Sequence, residues 1–317
     1  MSVADEPSST PLDVILQKVL EAVPFQFTTD GGPEASRQRF RDLPRRPVHP
    51  ELRVEDRTID GPAGPIPVRL YWPPEPGVTP PPVVVFVHGG GWVVGDLDTY
   101  DGTARQHAVG AGAVVVSVDY RLAPEHPFPA AVDDVWAATQ WAAEHAAELG
   151  GDPRRLAIAG DSAGGNLAAV VALLARDAGG PAIRFQLLWY PATTWDTSLP
   201  SFTENADAPV LAVRAVGGLS RWYAGHVDLK KPPATLVPAR AESLTGLPQA
   251  YIAVAGHDPL RDDGVRYGEL LAAAGVPVEV HNATSLVHGY LGYAGVVPAA
   301  TEATDRGLSA LREALHS

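Results

Sequence analysis

The stretch Gly160-Asp161-Ser162-Ala163-Gly164 places a single serine between two apolar segments of different length. Residues 156–159, just before it, are typical of a buried strand, and the apolar run 167–175 after it is typical of a buried helix. A turn this sharp strains the serine and projects its hydroxyl from the sheet, and side chains larger than glycine would clash beside it. The pattern therefore predicts a nucleophilic Ser162. The alternative is a tight strand–helix turn whose serine caps the helix.

A serine hydroxyl is a poor nucleophile unless a base and a binding site for the oxyanion accompany it. The stretch His88-Gly89-Gly90-Gly91-Trp92 directly follows a predicted strand, and its glycines expose backbone N–H groups. With the N–H after the serine, they predict an oxyanion hole built by Gly90, Gly91 and Ala163. Phosphate binding is disfavoured, because the chain has no G-x-x-x-x-G-K-[ST] and no G-x-G-x-x-G that leads into a helix with a partner acid. His88 is expected to hold this loop by hydrogen bonds.

The base is expected after the serine, because this turn accompanies the chain order Ser, Asp, His. Of the ten histidines, His288 lies on a loop after the last predicted strand. His257 is its sharpest rival, since it adjoins Asp258, but a residue rarely faces its own sequence neighbour. Three others lie at the terminus, at a predicted strand end and in an insertion: His316, His281 and His226. We predict that His288 is the general base and acid.

The acid of the predicted triad is Asp258. It follows the predicted strand 251–255, on the loop at the carboxyl end of that strand. A carboxylate there can orient His288 and stabilise its charged form. Asp262 and Asp263 are instead expected at the N-cap or in the first turn of the next helix, where acidic side chains are favourable.

The elements that must position these residues alternate between strands and helices. Strands are predicted at 54–59, 66–72, 83–87, 114–118, 156–159, 185–190, 251–255 and 278–280. Helices are predicted at 12–23, 33–43, 103–111, 130–149, 162–177, 262–274 and 299–315. This alternation predicts an α/β fold with a mostly parallel sheet of about eight strands and helices on both faces.

Two segments stand apart from this alternation. The first 50 residues read as two short helices followed by prolines, and 192–232 carries several aromatic residues but no predicted strand. We predict that 1–50 and 192–232 form a helical cap over one end of the sheet. The core would then comprise residues 51–191 and 233–317. Within its first part, a proline-rich surface connection at 73–82 links the predicted strands 66–72 and 83–87.

Composition narrows the classes of function. Apolar residues make up 45% of the 317 residues, and the net charge of −13 disfavours binding to nucleic acid or anionic lipid. The chain has no cysteine, which excludes disulfides, a thiolate nucleophile and cysteine-ligated metals. No H-E-x-x-H cluster occurs, so no metal and no cofactor are expected. The N-terminal residues lack the blocks of a signal peptide, and no apolar run reaches the roughly 20 residues that cross a bilayer. A cytoplasmic protein without a membrane span is therefore predicted.

Several motifs together resemble those of the hormone-sensitive-lipase-like esterases of the α/β-hydrolase fold, the bacterial family IV carboxylesterases. The resemblance covers most of the chain from about residue 50. It rests on His88-Gly89-Gly90-Gly91-Trp92 with Gly95-Asp96-Leu97-Asp98, on Asp119-Tyr120-Arg121-Leu122-Ala123-Pro124-Glu125, on Gly160-Asp161-Ser162-Ala163-Gly164-Gly165-Asn166, and on Asp258-Pro259-Leu260-Arg261-Asp262.

The resemblance implies the triad and the oxyanion donors already inferred from the residues. It also implies a cap built from the N-terminus and from an insertion after the sixth strand, and it allows a homodimer. One departure is Tyr290, where the family usually has phenylalanine after His-Gly; this could alter the polarity of the pocket but leaves the triad intact.

These observations predict a serine carboxylesterase that hydrolyses short- to medium-chain acyl esters through an acyl-enzyme, with a small-molecule ester as its substrate. Trp92, Tyr190 and Trp222 are candidates for substrate binding, although each could pack in the interior instead. The same machinery could serve an amidase, a formamidase or a lactonase. A ligand receptor on this fold is disfavoured, because serine, acid and histidine are all present.

Overall fold

The computed structural model describes residues 10–74 and 79–317, so part of the predicted cap (1–9) and of the proline-rich connection (75–78) lies outside the described residues. The strands are β1 (Arg53–Gly61), β2 (Gly64–Trp72), β3 (Val83–Val87), β4 (Val114–Val118), β5 (Leu156–Asp161), β6 (Ile183–Trp189), β7 (Gln249–His257) and β8 (Val278–Val287). The helices are α1 (Val14–Ala22), α2 (Gly32–Arg41), α3 (Asp101–Ala111), α4 (Ala130–His145), α5 (Ala163–Ala178), α6 (Pro200–Glu204), α7 (Val213–Ala224), α8 (Arg261–Ala273) and α9 (Pro298–His316). Short 3₁₀ turns occur at Pro238–Arg240 and Tyr290–Tyr293.

One sheet of eight strands organises the molecule, in the order β1-β2-β4-β3-β5-β6-β7-β8. β2 pairs antiparallel with β1 and with β4, and every other neighbouring pair is parallel. The predicted fold class is confirmed. Because parallel strands all end at the same edge, the loops after β3, β5, β6, β7 and β8 meet there, where open α/β sheets bind their ligands.

Helices cover both faces of the sheet, and the central strands are therefore apolar throughout. β3 shows the division most simply. Val83, Val85 and Val87 pack in the core shared with α4 and α5, whereas Val84 and Phe86 point to the opposite core, shared with α3 and α9. Alternation of side chains along a strand sends them to opposite faces, so an uninterrupted apolar run indicated burial on both.

Most element ends differ from the sequence-based expectation by at most two residues, and the ends of β8 and α4 differ by more. β8 extends to Val287 instead of residue 280. It lies at the edge of the sheet, and residues 281–285 are mostly polar, so no apolar run marks its second half. α4 ends at His145, and the residues up to 149 form turns. α5 begins at Ala163, one residue later than predicted, which leaves Ser162 outside the helix.

The N-terminal segment touches the insertion after β6. The backbone N–H of Phe27 donates to the carbonyl of Val210 over 2.8 Å, and Gln26 forms a parallel bridge with Val210. A methyl group at Gly218 on α7 would lie 2.6 Å from the side chain of Thr29. The two segments therefore pack closely, and their assignment to one cap domain with the stated boundaries stays a prediction.

The helices of the described residues can be compared with the length and apolarity that a membrane span requires. No helix in 10–74 or 79–317 is long and apolar enough to cross a membrane.

Candidate active site

The turn between β5 and α5 holds Ser162 in a strained conformation. Its φ of 55° and ψ of −116° lie in a region that residues with a side chain rarely adopt. A Cβ at Gly160 would lie 2.3 Å from the carbonyl oxygen of Gly164, and one at Gly164 would lie 2.0 Å from that of Val87. Only glycine fits at these two positions. The Ser162 hydroxyl makes no capping bond to α5, so the capping alternative does not describe it.

The structure brings Ser162, His288 and Asp258 together in one hydrogen-bonded chain. The Ser162 Oγ lies 2.9 Å from His288 Nε2, and His288 Nδ1 lies 2.7 Å from Asp258 Oδ2. A carboxylate only accepts, so Nδ1 carries the proton and Nε2 is free to accept the serine proton. Asp258 is fully buried, and its other oxygen accepts the N–H of Leu260 over 2.8 Å. The arrangement can remove a proton from the serine hydroxyl.

The rival histidine lies elsewhere. His257 ends β7, and its Nε2 contacts the carbonyl oxygen of Thr10 at 3.1 Å. It therefore makes its hydrogen bond to the N-terminal segment, although it precedes Asp258 directly in the chain.

The glycine loop after β3 presents backbone donors beside Ser162. Within 10–74 and 79–317, the N–H groups of Gly90, Gly91 and Ala163 donate to no protein acceptor. Gly90 has a φ of 106°, and a Cβ there would lie 2.1 Å from the carbonyl oxygen of Val94. Unpaired N–H groups next to a nucleophile are the arrangement that stabilises an oxyanion.

His88 and Tyr120 hold the start of this loop. The His88 ring stacks on Tyr120, with centroids 4.3 Å apart, and its Nδ1 lies 2.8 Å from the carbonyl oxygen of Gly89. Complete burial lowers the pKa of His88 to about 4, so the neutral ring donates this bond. Tyr120 donates its hydroxyl to the His88 carbonyl over 2.9 Å. Tyr120 belongs to the Asp119–Glu125 motif, which thereby supports the loop.

Arg37 on α2 connects the N-terminal segment to the same region, which sequence reasoning missed. Its guanidinium donates to the carbonyl oxygens of Val93 and Ala123, each over 2.9 Å, and to the carboxylate of Glu125. The bond to the carboxylate lowers the pKa of Glu125 to about 2. Among sequence signals, only the arginine-rich character of 33–43 pointed toward this contact.

Asp161, inside the serine motif, was also missed as a separate functional candidate. Its side chain is buried, and Oδ1 accepts the backbone N–H of Gly89 over 2.7 Å. Oδ2 accepts the hydroxyl of Tyr100 over 3.3 Å. Burial raises the pKa of Asp161 to about 7. The carboxyl therefore joins the serine turn to the glycine loop.

Asp263 was predicted in the first turn of a helix, and it does lie in the first turn of α8. It does more than favour the helix dipole, because its carboxylate accepts from the chain that follows β6. The N–H and hydroxyl of Thr194 donate to it over 2.7 and 3.0 Å, and the N–H of Trp195 donates over 3.2 Å. Thr193 donates to the same carboxylate with its hydroxyl over 2.8 Å. Burial raises the pKa of Asp263.

Asn166 on α5 holds both flanks of the insertion. Its side-chain amide donates to the carbonyl oxygens of Ala192 over 2.7 Å and Leu236 over 3.0 Å. Asn166 stands at the end of the Gly160–Asn166 motif, so a residue of the serine motif anchors the segment that was predicted to form a cap.

Two cavities meet at Ser162 and His288. The smaller cavity, of about 260 Å³, is mostly apolar and includes Gly91, Ala163 and Leu219. The larger cavity, of about 540 Å³, includes Gly90 and reaches the N-terminal segment. Phe27 contributes to both. An ester bound at the serine can therefore place one side in each.

The three aromatic candidates lie in different places. Trp92 lines the smaller cavity and also stacks on Tyr223, with ring centroids 4.5 Å apart, so it both faces the cavity and packs in the interior. Tyr190 lines the larger cavity with its ring centroid 4.7 Å from that of His288. Trp222 lies on α7 but contributes to the lining of neither cavity.

The chain is similar to known proteins over most of its length. Residues 84–292 match the α/β-hydrolase fold family. The chain is 69% identical to Esterase LipI of Mycobacterium tuberculosis over 314 residues, which cover 99% of this chain and 98% of that protein. It is 57% identical to Carboxylesterase NlhH of the same organism over 312 residues, covering 96% and 97%.

Solved structures are similar over nearly the whole chain. The crystal structure of DphMB1 superposes with a TM-score of 0.93 at 74% identity, covering 96% of this chain and 99% of that one. A thermostable esterase from Pseudomonas putida ECU1011 superposes with a TM-score of 0.89 at 36% identity, covering 98% and 99%. This chain is an α/β hydrolase that belongs to the hormone-sensitive-lipase-like, bacterial family IV carboxylesterases. It is a carboxylic ester hydrolase.

Proposed function

We propose that this enzyme hydrolyses short- to medium-chain acyl esters through an acyl-enzyme on Ser162. The observation that carries the proposal is the hydrogen-bonded chain from Ser162 through His288 to the buried Asp258, at the point where two cavities meet. Nucleophile, base and orienting acid at such distances are the arrangement that activates a serine.

In the first half-reaction, Ser162 Oγ attacks the acyl carbon while its proton passes to His288 Nε2. The carbonyl π electrons move to oxygen, and the resulting oxyanion accepts hydrogen bonds from the N–H groups of Gly90, Gly91 and Ala163. The carbon–oxygen bond to the alcohol then breaks, and the leaving oxygen takes the proton from His288. The products are a free alcohol and an acyl ester on Ser162.

In the second half-reaction, water replaces the alcohol. His288 removes a proton from the water, the oxygen attacks the acyl carbon, and Ser162 leaves with the proton that His288 returns. Asp258 accepts the hydrogen bond from the Nδ1–H of His288 in both steps and stabilises the imidazolium, while the proton stays on Nδ1. Its support from the Leu260 N–H keeps the carboxylate in place during both steps.

We assign the acyl chain to the smaller cavity and the alcohol to the larger one. The leaving oxygen must lie next to His288, and Tyr190 and Gly289, which surround that histidine, line the larger cavity. The smaller cavity has a volume of about 260 Å³. That value lies just below the range of roughly 300–1,000 Å³ for pockets that enclose drug-sized ligands, which favours short to medium acyl chains.

We further propose that 1–50 and 192–232 act as a cap over this site, with residues 51–191 and 233–317 as the core. Support comes from the contact between Phe27 and Val210 and from the position of Phe27 in the wall of both cavities. A cytoplasmic location and a homodimer stay predictions.

The first test is hydrolysis of p-nitrophenyl esters, from acetyl to palmitoyl, by the wild type and by Ser162→Ala. We expect butanoyl and hexanoyl esters to react fastest, and the variant to lose about a million-fold in kcat, as serine nucleophiles do. Ser309→Ala is the matched control, because Ser309 is exposed on α9 and should retain full activity.

Either part of the proposal can fail separately. Activity retained by Ser162→Ala would exclude this serine as the nucleophile. Faster cleavage of emulsified long-chain triglycerides than of soluble butanoyl esters would exclude the assigned acyl range while leaving the triad in place.

A further inference from the structure

The side chain of Asp161, in the serine turn, reaches the glycine loop. It is 3% exposed, and its Oδ1 accepts the backbone N–H of Gly89 over 2.7 Å. In sequence, Asp161 directly precedes Ser162, and Gly89 directly precedes Gly90. A single hydrogen bond therefore joins the neighbour of the nucleophile to the neighbour of an oxyanion donor.

The two segments are also in close steric contact at this point. A Cβ at Gly89 would lie 2.4 Å from Asp161 Oδ2 and 2.8 Å from the Asp161 carbonyl oxygen. The carbonyl of Gly89 is held from its other side by the ring of His88, at 2.8 Å. Gly89 is thus held through both its N–H and its carbonyl group, and the next residue, Gly90, follows from a defined position.

We propose that Asp161 is a positioning residue for the oxyanion hole. By accepting the Gly89 N–H, its carboxyl group sets the N–H groups of Gly90 and Gly91 at hydrogen-bonding distance from the oxygen that forms on the acyl carbon. This inference rests on the proposed function, in which Ser162 attacks an ester.

The oxyanion donors need such a positioning residue because the backbone of a glycine-rich loop has large conformational freedom. Gly90 and Gly91 both adopt positive φ, at 106° and 60°, and glycine populates many other conformations at similar energy. Oxyanion donors act only within about 2.7–3.1 Å of the developing charge. Misplacement by about 1 Å can lower a rate 100-fold. A fixed acceptor beside the nucleophile removes this freedom before substrate binds.

The variants Asp161→Leu and Asp161→Asn separate acceptance of the hydrogen bond from shape. Leucine has nearly the same shape but cannot accept, whereas asparagine can still accept the Gly89 N–H and can donate to the Tyr100 oxygen. For Asp161→Leu we expect kcat on p-nitrophenyl butanoate to fall about 100-fold with KM little changed, because that is the usual effect of losing one oxyanion donor. Asp161→Asn should restore most of that activity.

A second measurement reports on the oxyanion hole itself. A trifluoromethyl ketone forms a tetrahedral adduct with a serine nucleophile and places its oxyanion on the same donors. Its inhibition constant should rise in Asp161→Leu by about the factor that kcat/KM falls, and should stay near the wild-type value in Asp161→Asn. Tyr100→Phe removes the other hydrogen bond of the carboxyl and should lower kcat much less than Asp161→Leu.

The outcomes are distinct. An Asp161→Leu variant with wild-type kcat overturns the inference, and so does an Asp161→Asn variant as slow as Asp161→Leu, because acceptance would then not be the property that matters. If Asp161→Leu does not fold, as judged by circular dichroism, Asp161→Ser replaces it, since a serine hydroxyl is too short to reach Gly89. If Ser162→Ala remains active, the proposed function itself fails; if Ser162→Ala is inactive and the Asp161 variants are not, only this inference fails.

Discussion

Ser162 keeps a backbone conformation that costs about 1–3 kcal/mol, and its neighbours explain how. Gly160 and Gly164 allow the carbonyl groups beside them to approach more closely than any side chain would permit. The strain aims the hydroxyl at His288 Nε2 instead of at the N-terminus of α5. Position, more than intrinsic reactivity, makes this serine the candidate nucleophile.

At the residue scale we predict that Asp258→Asn lowers kcat about 10,000-fold. Asparagine can present its amide to His288 Nδ1, which favours the ring tautomer that carries its proton on Nε2 and cannot accept from Ser162. Steady-state kinetics on p-nitrophenyl butanoate, with circular dichroism to verify the fold, measures the effect.

Asp262→Asn is the matched control for this prediction. Asp262 lies four residues further along, and its carboxylate contacts Ser201 and Arg261 instead of the triad. We expect it to retain most of the wild-type kcat. Equal losses in the two variants would contradict the role of Asp258.

At the element scale, two polar side chains attach the insertion to the sheet. Asn166 from α5 binds the chain near both ends of the insertion, at Ala192 and Leu236, and Asp263 from α8 binds it at Thr194. The parallel sheet brings the starts of α5 and α8 to one edge, so these contacts form only once the strands have paired.

We predict that Asp263→Asn destabilises the protein by about 1–3 kcal/mol, the cost of leaving a buried donor without a partner. All the groups around the Asp263 carboxylate are N–H or O–H donors, and an amide nitrogen there would face another donor. Urea unfolding followed by tryptophan fluorescence measures the free energy of unfolding. Asp305→Asn, at an exposed position on α9, is the control and should change this free energy little. An equal effect of the two substitutions would contradict the prediction.

At the scale of the whole molecule, buried histidines couple stability to pH. His107 on α3 accepts the indole N–H of Trp189 at Nε2 over 3.0 Å, and its Nδ1 lies 2.8 Å from the Thr103 carbonyl oxygen. A ring that accepts at Nε2 must be neutral there. Burial lowers the pKa of His107 to about 4, as it does for His88.

We predict that His107 makes the protein less stable as the pH falls from about 6.5 to 4. The folded ring resists protonation in this window, whereas the unfolded chain takes up the proton near its ordinary pKa of about 6.5. The unfolded state therefore gains up to about 3 kcal/mol, at roughly 1.4 kcal/mol per pH unit. Above pH 6.5 the contribution is constant.

His107→Gln isolates this effect, because glutamine can accept from Trp189 and donate to Thr103 without titrating. The stability advantage of the wild type over the variant should shrink by about 3 kcal/mol between pH 6.5 and 4 in urea unfolding. Asp161, with its raised pKa of about 7, makes the folded state more stable as the pH falls, the opposite of the His107 effect. This contribution is present in both the wild type and the variant, so it cancels in their difference. Ser309→Ala, which removes no titratable group from an exposed position, is the control and should show no such trend. A constant difference for His107→Gln would contradict the prediction.

The amino-acid sequence alone was sufficient for the fold class and for the choice of candidate catalytic residues. Apolar runs such as 83–87 indicate strands buried on both faces, and helices between them require parallel pairing, so the strand ends had to meet at one edge. Short-range spacing placed Ser162 and Gly90 on loops at that edge, and chain order pointed to Asp258 and His288.

Only the tertiary structure decided how these residues are held. Asp161 and Gly89 are 72 positions apart, and Arg37 and Glu125 are 88 positions apart. No local pattern encodes such contacts. The choice between His288 and His257 likewise depends on distance in the folded chain, where His288 Nε2 lies 2.9 Å from Ser162 Oγ. Local patterns determine which elements form, because they depend on neighbouring residues. Hydrogen bonds between loops depend on where those elements pack, so Asp161, Arg37, Asn166 and Asp263 acquire their partners only in the folded chain.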